Sequence, residues 1–157
     1  MKDHVNLTAS ILDRLLDSDP KLSSEPAQYR VVSERQILDS IVRDIENLLN
    51  TRCSPIVLPD TFNSLKKSLI RYGLKDSSME NPESTLVRQQ LCMEIEKTII
   101  DFEPRLKKPI VRIESQTGKK RELFFRIAGI LAVEPLAEPV SFDTFFDLNR
   151  GRYVISK

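Results

Sequence analysis

Acid, proline and arginine stand together at Glu103-Pro104-Arg105, where a helix-periodic run gives way to an alternating one. Two carboxylates flanking a sugar linkage can cleave it, and Glu103 with Asp143 or Glu94 is the pair to weigh. Sugar subsites usually rest on exposed aromatic platforms, however. The chain has no Trp, three Tyr and seven Phe, most of them on expected core faces. Among 23 acidic residues a chance pair is expected in any case. The other chemistry open to the triplet is recognition. Pro104 fixes the backbone, and Arg105 offers a planar, permanently charged fork to a carboxylate or to several carbonyls. The plainer alternative is an internal Glu103–Arg105 brace at a helix end, and the residues alone favour it.

Other chemistries find little support. The only histidine, His4, lies before the first helix, which nearly removes histidine-based acid–base or triad catalysis. Cys53 and Cys92 are a distant pair without CxxC spacing, read as two reduced thiols rather than a disulfide or a metal site. The four glycines are scattered and form no phosphate loop. No cofactor and no metal is therefore expected. With 24 basic and 23 acidic residues the net charge is +1, which gives no bulk attraction to nucleic acid or anionic lipid. No apolar run approaches the roughly 20 residues of a membrane span, and the polar, acidic N-terminus is unlike a secretory signal. The expected compartment is the cytoplasm, without membrane insertion.

These residues need elements to hold them. At 157 residues the chain has one domain's worth of core. Residues 1–32 read as an amphipathic helix plus a flexible tether, and 33–157 as a single domain. In "TASILDRLLDSDP" Ile11, Leu12, Leu15 and Leu16 recur at helical spacing behind cap-competent Thr8 and Ser10, and Leu12, Leu15 and Leu16 are candidates for docking on another protein. Ser33 with Gln36 makes a capping box before the stripe Ile37, Leu38, Ile41, Val42, Ile45, Leu48 and Leu49, opposite a face holding Asp39, Arg43, Asp44, Glu46 and Asn47. Asp60 or Thr61 is expected to cap a helix bearing Phe62, Leu65, Leu69 and Ile70, ended by Gly73. Asn81-Pro82 opens another, with Leu86, Val87, Leu91, Ile95, Ile99 and Phe102 on its stripe, and Pro104 stops it.

Four strand-like runs follow. "PIVRIES" alternates, "ELFFRIAGILAVE" sets Leu123, Phe125, Ile127, Leu131 and Val133 on one face, "VSFDTFF" does so with Val140, Phe142, Thr144 and Phe146, and "RYVIS" comes last. Helices first and about four mainly antiparallel strands last make the fold class α+β. Arg152, Tyr153, Val154 and Ile155 are expected at or near a sheet edge, able to accept a strand from another protein or to be paired within the domain. The basic runs "RLKKP" and "GKKRE" would lie close together in a hairpin of the first two strands, but the lack of interleaved aromatics argues against a nucleic-acid partner.

Taken in order, "SILDRLL", "VRDIENLLNTR", "SLIRYGL", "FEPRL" and "FRIAGILAVEPLAEPVSFDTFFDLNRGRYVI" resemble the TssE family. These are type VI secretion baseplate subunits related to the wedge protein of contractile phage tails, and the likeness covers nearly the whole chain. The resemblance implies a structural, non-catalytic role and a sheet similar to the handshake-type domain of the sheath subunit, where strands from neighbouring subunits complete one sheet. It further implies wedge partners TssF and TssG, with TssK as a further candidate, sheath subunits TssB and TssC, and a place at the baseplate beneath the inner membrane complex. The family's Glu-Pro-Arg motif falls on Glu103, Pro104 and Arg105, with an attributed role in contacts to baseplate core and sheath, which tilts the triplet from brace to interface. An equivalent phage tail wedge protein is the nearest alternative, and a peptidoglycan glycosidase using Glu103 as acid is the remote one.

Overall fold

The computed structural model of the chain describes residues 7, 10–15, 21, 32–56, 59, 61–75, 84–114, 122–133, 136–147 and 150–156. A short helix α1 (Ile11–Leu15) precedes α2 (Glu34–Asn50), which opens with the expected capping box: the Ser33 hydroxyl accepts from the Gln36 N–H at 3.3 Å and Gln36 Oε1 accepts from the Ser33 N–H at 2.8 Å. Ile37, Ile41, Val42, Ile45, Leu48 and Leu49 are all buried on the predicted stripe.

The segment after α2 departs from expectation. In place of an α-helix it forms two 3₁₀ turns, Asn63–Lys67 and Leu69–Arg71. The Ser68 hydroxyl donates to the Leu65 carbonyl at 2.8 Å, and Ser68 itself is extended, so the ladder breaks there. The supposed stripe is not a core face either, since Leu69 is 86% exposed and Phe62 is exposed as well. Asp60 lies outside the described residues, and Thr61 precedes turns that take no side-chain cap. Gly73 does adopt positive φ, +103°, and lies so close to Thr51 that an added Cβ would sit 2.3 Å from the Thr51 carbonyl oxygen. This approach carries a short parallel bridge, with Leu74 N–H donating to Thr51 O at 2.9 Å and Cys53 N–H to Leu74 O at 2.8 Å.

Helix α3 spans Thr85–Phe102 with Ser84 as its N-cap; Asn81 and Pro82 lie outside the described residues. Full burial falls at Ile95, Thr98 and Ile99, Leu91 and Cys92 are half-buried against the core, and Leu86 is exposed, contrary to the stripe read from sequence. The helix packs mainly on the first strand and also touches α2. It ends at Glu103, whose φ/ψ of −119° and 80° leave the helical region just before Pro104, as expected.

Strands β1 (Leu106–Glu114), β2 (Glu122–Val133), β3 (Leu136–Asp147) and β4 (Arg152–Ser156) form one antiparallel meander in the order β1-β2-β3-β4. The α+β architecture follows, with Phe125, Ile127, Leu131, Phe142 and Thr144 on the sheet's buried face. β1 starts three residues earlier than the alternation indicated, because a register irregularity between Lys107 and Ile110, with Lys108 at φ 50°, absorbs the mismatch. The hairpin also separates the basic runs: Lys107 lies opposite Ile130, whereas Glu114, after which the second run comes, lies opposite Phe124. Its "TGKK" turn is outside the described residues.

Replacing Gly73 by Ala combines a left-handed backbone with a backbone clash, and should lower the unfolding free energy by more than about 2 kcal/mol in urea titration. Gly151, at φ +60° with open space around its Cα, should accept Asn at a cost under about 1 kcal/mol.

Candidate interaction site at the Glu103–Pro104–Arg105 corner

Three elements converge where α3 ends. Glu103 caps that helix, α2 passes alongside, and Arg105 precedes β1 with its carbonyl accepting the Ala132 N–H from the end of β2 at 2.8 Å. The Arg105 guanidinium grips both oxygens of Glu103, Nε to Oε1 at 2.7 Å and Nη2 to Oε2 at 2.6 Å. It then reaches α2, donating to Asp44 Oδ2 at 2.6 Å and to the Ser40 hydroxyl at 3.0 Å. Glu103 is only 4% exposed. These bonds, those to Glu103 above all, push the Arg105 pKa well above its ordinary value against the opposing effect of burial.

The chain of charges continues outward. Arg43 donates to Asp44 Oδ1 at 3.0 Å and to Asp13 Oδ1 of α1 at 2.7 Å. Asp13 in turn accepts from the Ser10 hydroxyl at 2.6 Å. Burial alone would raise the Asp13 carboxyl, but Ser10 and Arg43 together hold it below its ordinary value of 3.8. Asp13, Arg43, Asp44, Arg105 and Glu103 thus alternate in sign from the N-terminal helix to the corner.

Beside them is a cavity of about 300 Å³ lined by Leu12, Leu48, Phe102, Pro104 and the charged corner, with Tyr72 and Phe102 meeting edge to face at 5.4 Å. Tyr72 is pushed up by burial and by the charges of Asp44 and Glu103.

The structure therefore brings Leu12 to the corner with Glu103, Pro104 and Arg105. Glu103 and Arg105 make the internal brace that the residues alone favoured, and exposed Pro104 is the part of the motif that faces outward. Leu15 is 76% exposed, and Leu16 lies outside the described residues. Arg152, Tyr153, Val154 and Ile155 lie elsewhere, on the sheet edge opposite β1, with Tyr153 and Ile155 buried. Arg43 and Asp44 were missed because they read as part of the polar face opposite the stripe, and nothing in the sequence singled out Ser40 beyond its i, i+4 spacing to Asp44. Among the described residues no cluster of His, Cys, Asp and Glu could hold a metal ion, and no helix is long and apolar enough to cross a membrane.

The model of the baseplate wedge protein gp25 family matches residues 35–136, which run from α2 through the corner to the start of β3. The chain belongs to that family. A solved structure, the baseplate complex from the type VI secretion system, contains a chain with the same fold, with a TM-score of 0.50 and 22% identity. The match covers 77% of this chain and 96% of that one. No curated protein matches. This gp25-family chain carries its Glu-Pro-Arg triplet inside the region the family model describes.

Removing the Arg105 side chain would leave Glu103 buried without its cation. Arg105→Ala should cost about 3 kcal/mol in urea unfolding, whereas Glu103→Leu with Arg105→Met, which removes both charges, should stay within about 1 kcal/mol of wild type. The Asp13 carboxyl is lowered on folding, so its tie to Arg43 is present above the ordinary carboxylate pKa and is lost as pH falls through the lowered value. NMR shifts of Ile11–Leu15 should accordingly be constant from pH 7 to 5 and move below about pH 4, a transition that Asp13→Asn abolishes.

Proposed function

We propose that this protein is a structural, non-catalytic wedge component of a type VI secretion baseplate. In this reading it joins the wedge subunits TssF and TssG, with TssK as a further contact, and offers the platform on which the TssB/TssC sheath begins to grow. It works in the bacterial cytoplasm, at a baseplate docked beneath the inner membrane complex. The observation that carries the reading is the family match across residues 35–136. The type VI baseplate fold, matched over 96% of its own chain, favours secretion over a free phage tail.

The site's chemistry points the same way. A glycosidase acid must aim a carboxyl oxygen at the sugar, and both oxygens of Glu103 are taken by Arg105. The brace instead sets a fixed shape in which Pro104 and the cavity lined by Leu12 and Phe102 face outward, a surface suited to a protein partner. The N-terminal helix, with Ile11 78% and Leu15 76% exposed, supplies a second apolar surface joined to the first through Asp13 and Arg43. Strand β4, at the sheet edge opposite β1, is the natural place for a sheath strand to add.

The test is to follow fluorescent sheath in the native host carrying the folded double variant Glu103→Leu with Arg105→Met. Sheath should be lost and copurification of wedge subunits should fall, with protein level and melting temperature close to wild type. Normal sheath in that strain would confine the triplet to bracing the fold.

A further inference from the structure

The two edges of the sheet are closed in different ways. At β1 a whole helix lies alongside: the Glu96 carboxylate of α3 accepts the outward N–H of Val111 at 2.8 Å. One turn earlier, Cys92 meets the Ile113 backbone, its thiol pushed up by burial and by Glu96 against that backbone contact. At β4, against which α2 also packs, the side chain of the last residue of that helix meets the strand's main chain. Asn50 Oδ1 accepts the Tyr153 N–H at 2.8 Å, and Asn50 Nδ2 donates to the Tyr153 carbonyl at 2.9 Å. A carboxamide has the donor and acceptor of a peptide group. Asn50 therefore stands where one residue of a further antiparallel strand would stand.

We propose that Asn50 is a removable cap on the β4 edge, which an extended strand from a partner displaces by putting its own peptide groups on Tyr153. This rests on the reading of β4 as the strand-accepting edge. The occupant is identified by what the cap imitates: only main chain offers a donor and an acceptor at that spacing, repeated along the edge. Because backbone groups alternate along a strand, the next outward pair belongs to Ile155, which Asn50 does not reach.

The geometry also makes the cap easy to lift. Asn50 is the last residue of α2, and its amide already donates to the Glu46 carbonyl at 2.9 Å, so on leaving Tyr153 it keeps one partner. Tyr153 is held independently, its ring packed on Phe146 at 4.6 Å and on Phe125 at 6.1 Å, so β4 stays in register with the edge opened. Until displacement, the cap denies the edge to a second copy of the same chain.

Residue-resolved amide exchange on the full chain tests this, in wild type, Asn50→Ala and Asn50→Asp. The Asp variant keeps an acceptor for the Tyr153 N–H but sets a carboxylate against its carbonyl. The Tyr153 N–H should exchange at least about fivefold faster in Asn50→Ala, and less so in Asn50→Asp, while Val154, whose groups turn to β3, keeps its wild-type rate. Purified cognate sheath subunits should then bind Asn50→Ala at least about fivefold more tightly than wild type. An unchanged Tyr153 rate, or a Val154 rate that rises with it, overturns the proposal, because Asn50 is then idle or merely a clamp on β4. A freed Tyr153 with no gain in sheath affinity overturns displacement. If no form of the protein binds sheath subunits, it is the sheath reading that fails, and exchange together with self-association of Asn50→Ala in sedimentation decides whether Asn50 caps the edge.

Discussion

The Arg105 guanidinium is the constraint on which the arrangement of elements depends. One planar fork takes the carboxylate that ends α3, a carboxylate and a hydroxyl on α2, and stands at the start of β1. Burying Glu103 to 4% exposure is unfavourable unless its lone pairs are matched, and the bidentate contact matches both oxygens. A Lys would offer a point charge and could not satisfy Glu103, Asp44 and Ser40 with the same geometry. The gain is definition more than stability: the angle at which α3 hands over to β1 is set by a contact with few alternative solutions.

The sheet built beyond that corner has two unlike faces. The inner face carries Phe125, Ile127, Leu131 and Phe142 against the helices. On the other, Arg126 bridges Glu114 of β1 at 3.0 Å and Asp143 of β3 at 2.9 Å, tying three strands on a face that also carries the Phe124–Phe145 pair and exposed Ile110 and Ile130. Gly129 sits on the inner face, where a Cβ would lie 2.7 Å from the Leu106 side chain, so its bareness lets the first residue of β1 close over the second strand. Polar side chains from the helices then finish both edges, Glu96 on one and Asn50 on the other.

Much of this was legible in the residues. The capping box at Ser33 and Gln36, the stripe from Ile37 to Leu49, the stop at Pro104 and the strand faces all rest on local rules, where period and cap chemistry act within a few residues. The failures share a cause too. Phe62, Leu65 and Leu69 have helical spacing, yet nothing packs over Leu69 and Ser68 diverts the backbone. Leu86 has the right phase but lies on the first turn of α3, where nothing covers it. Periodicity says which residues share a face and not whether that face is covered.

The sequence by itself determined the α+β order of elements, the α2 core stripe and the inward faces of β2 and β3, because those depend on neighbours in the chain. Only the tertiary structure decided what the polar residues do. Arg43 and Asp44, read as a solvated face, join the charge chain, and Asn50 reaches a main-chain pair 103 positions away. An ion pair or a carboxamide cap is specified by distance and direction in space, and no spacing along the chain encodes either.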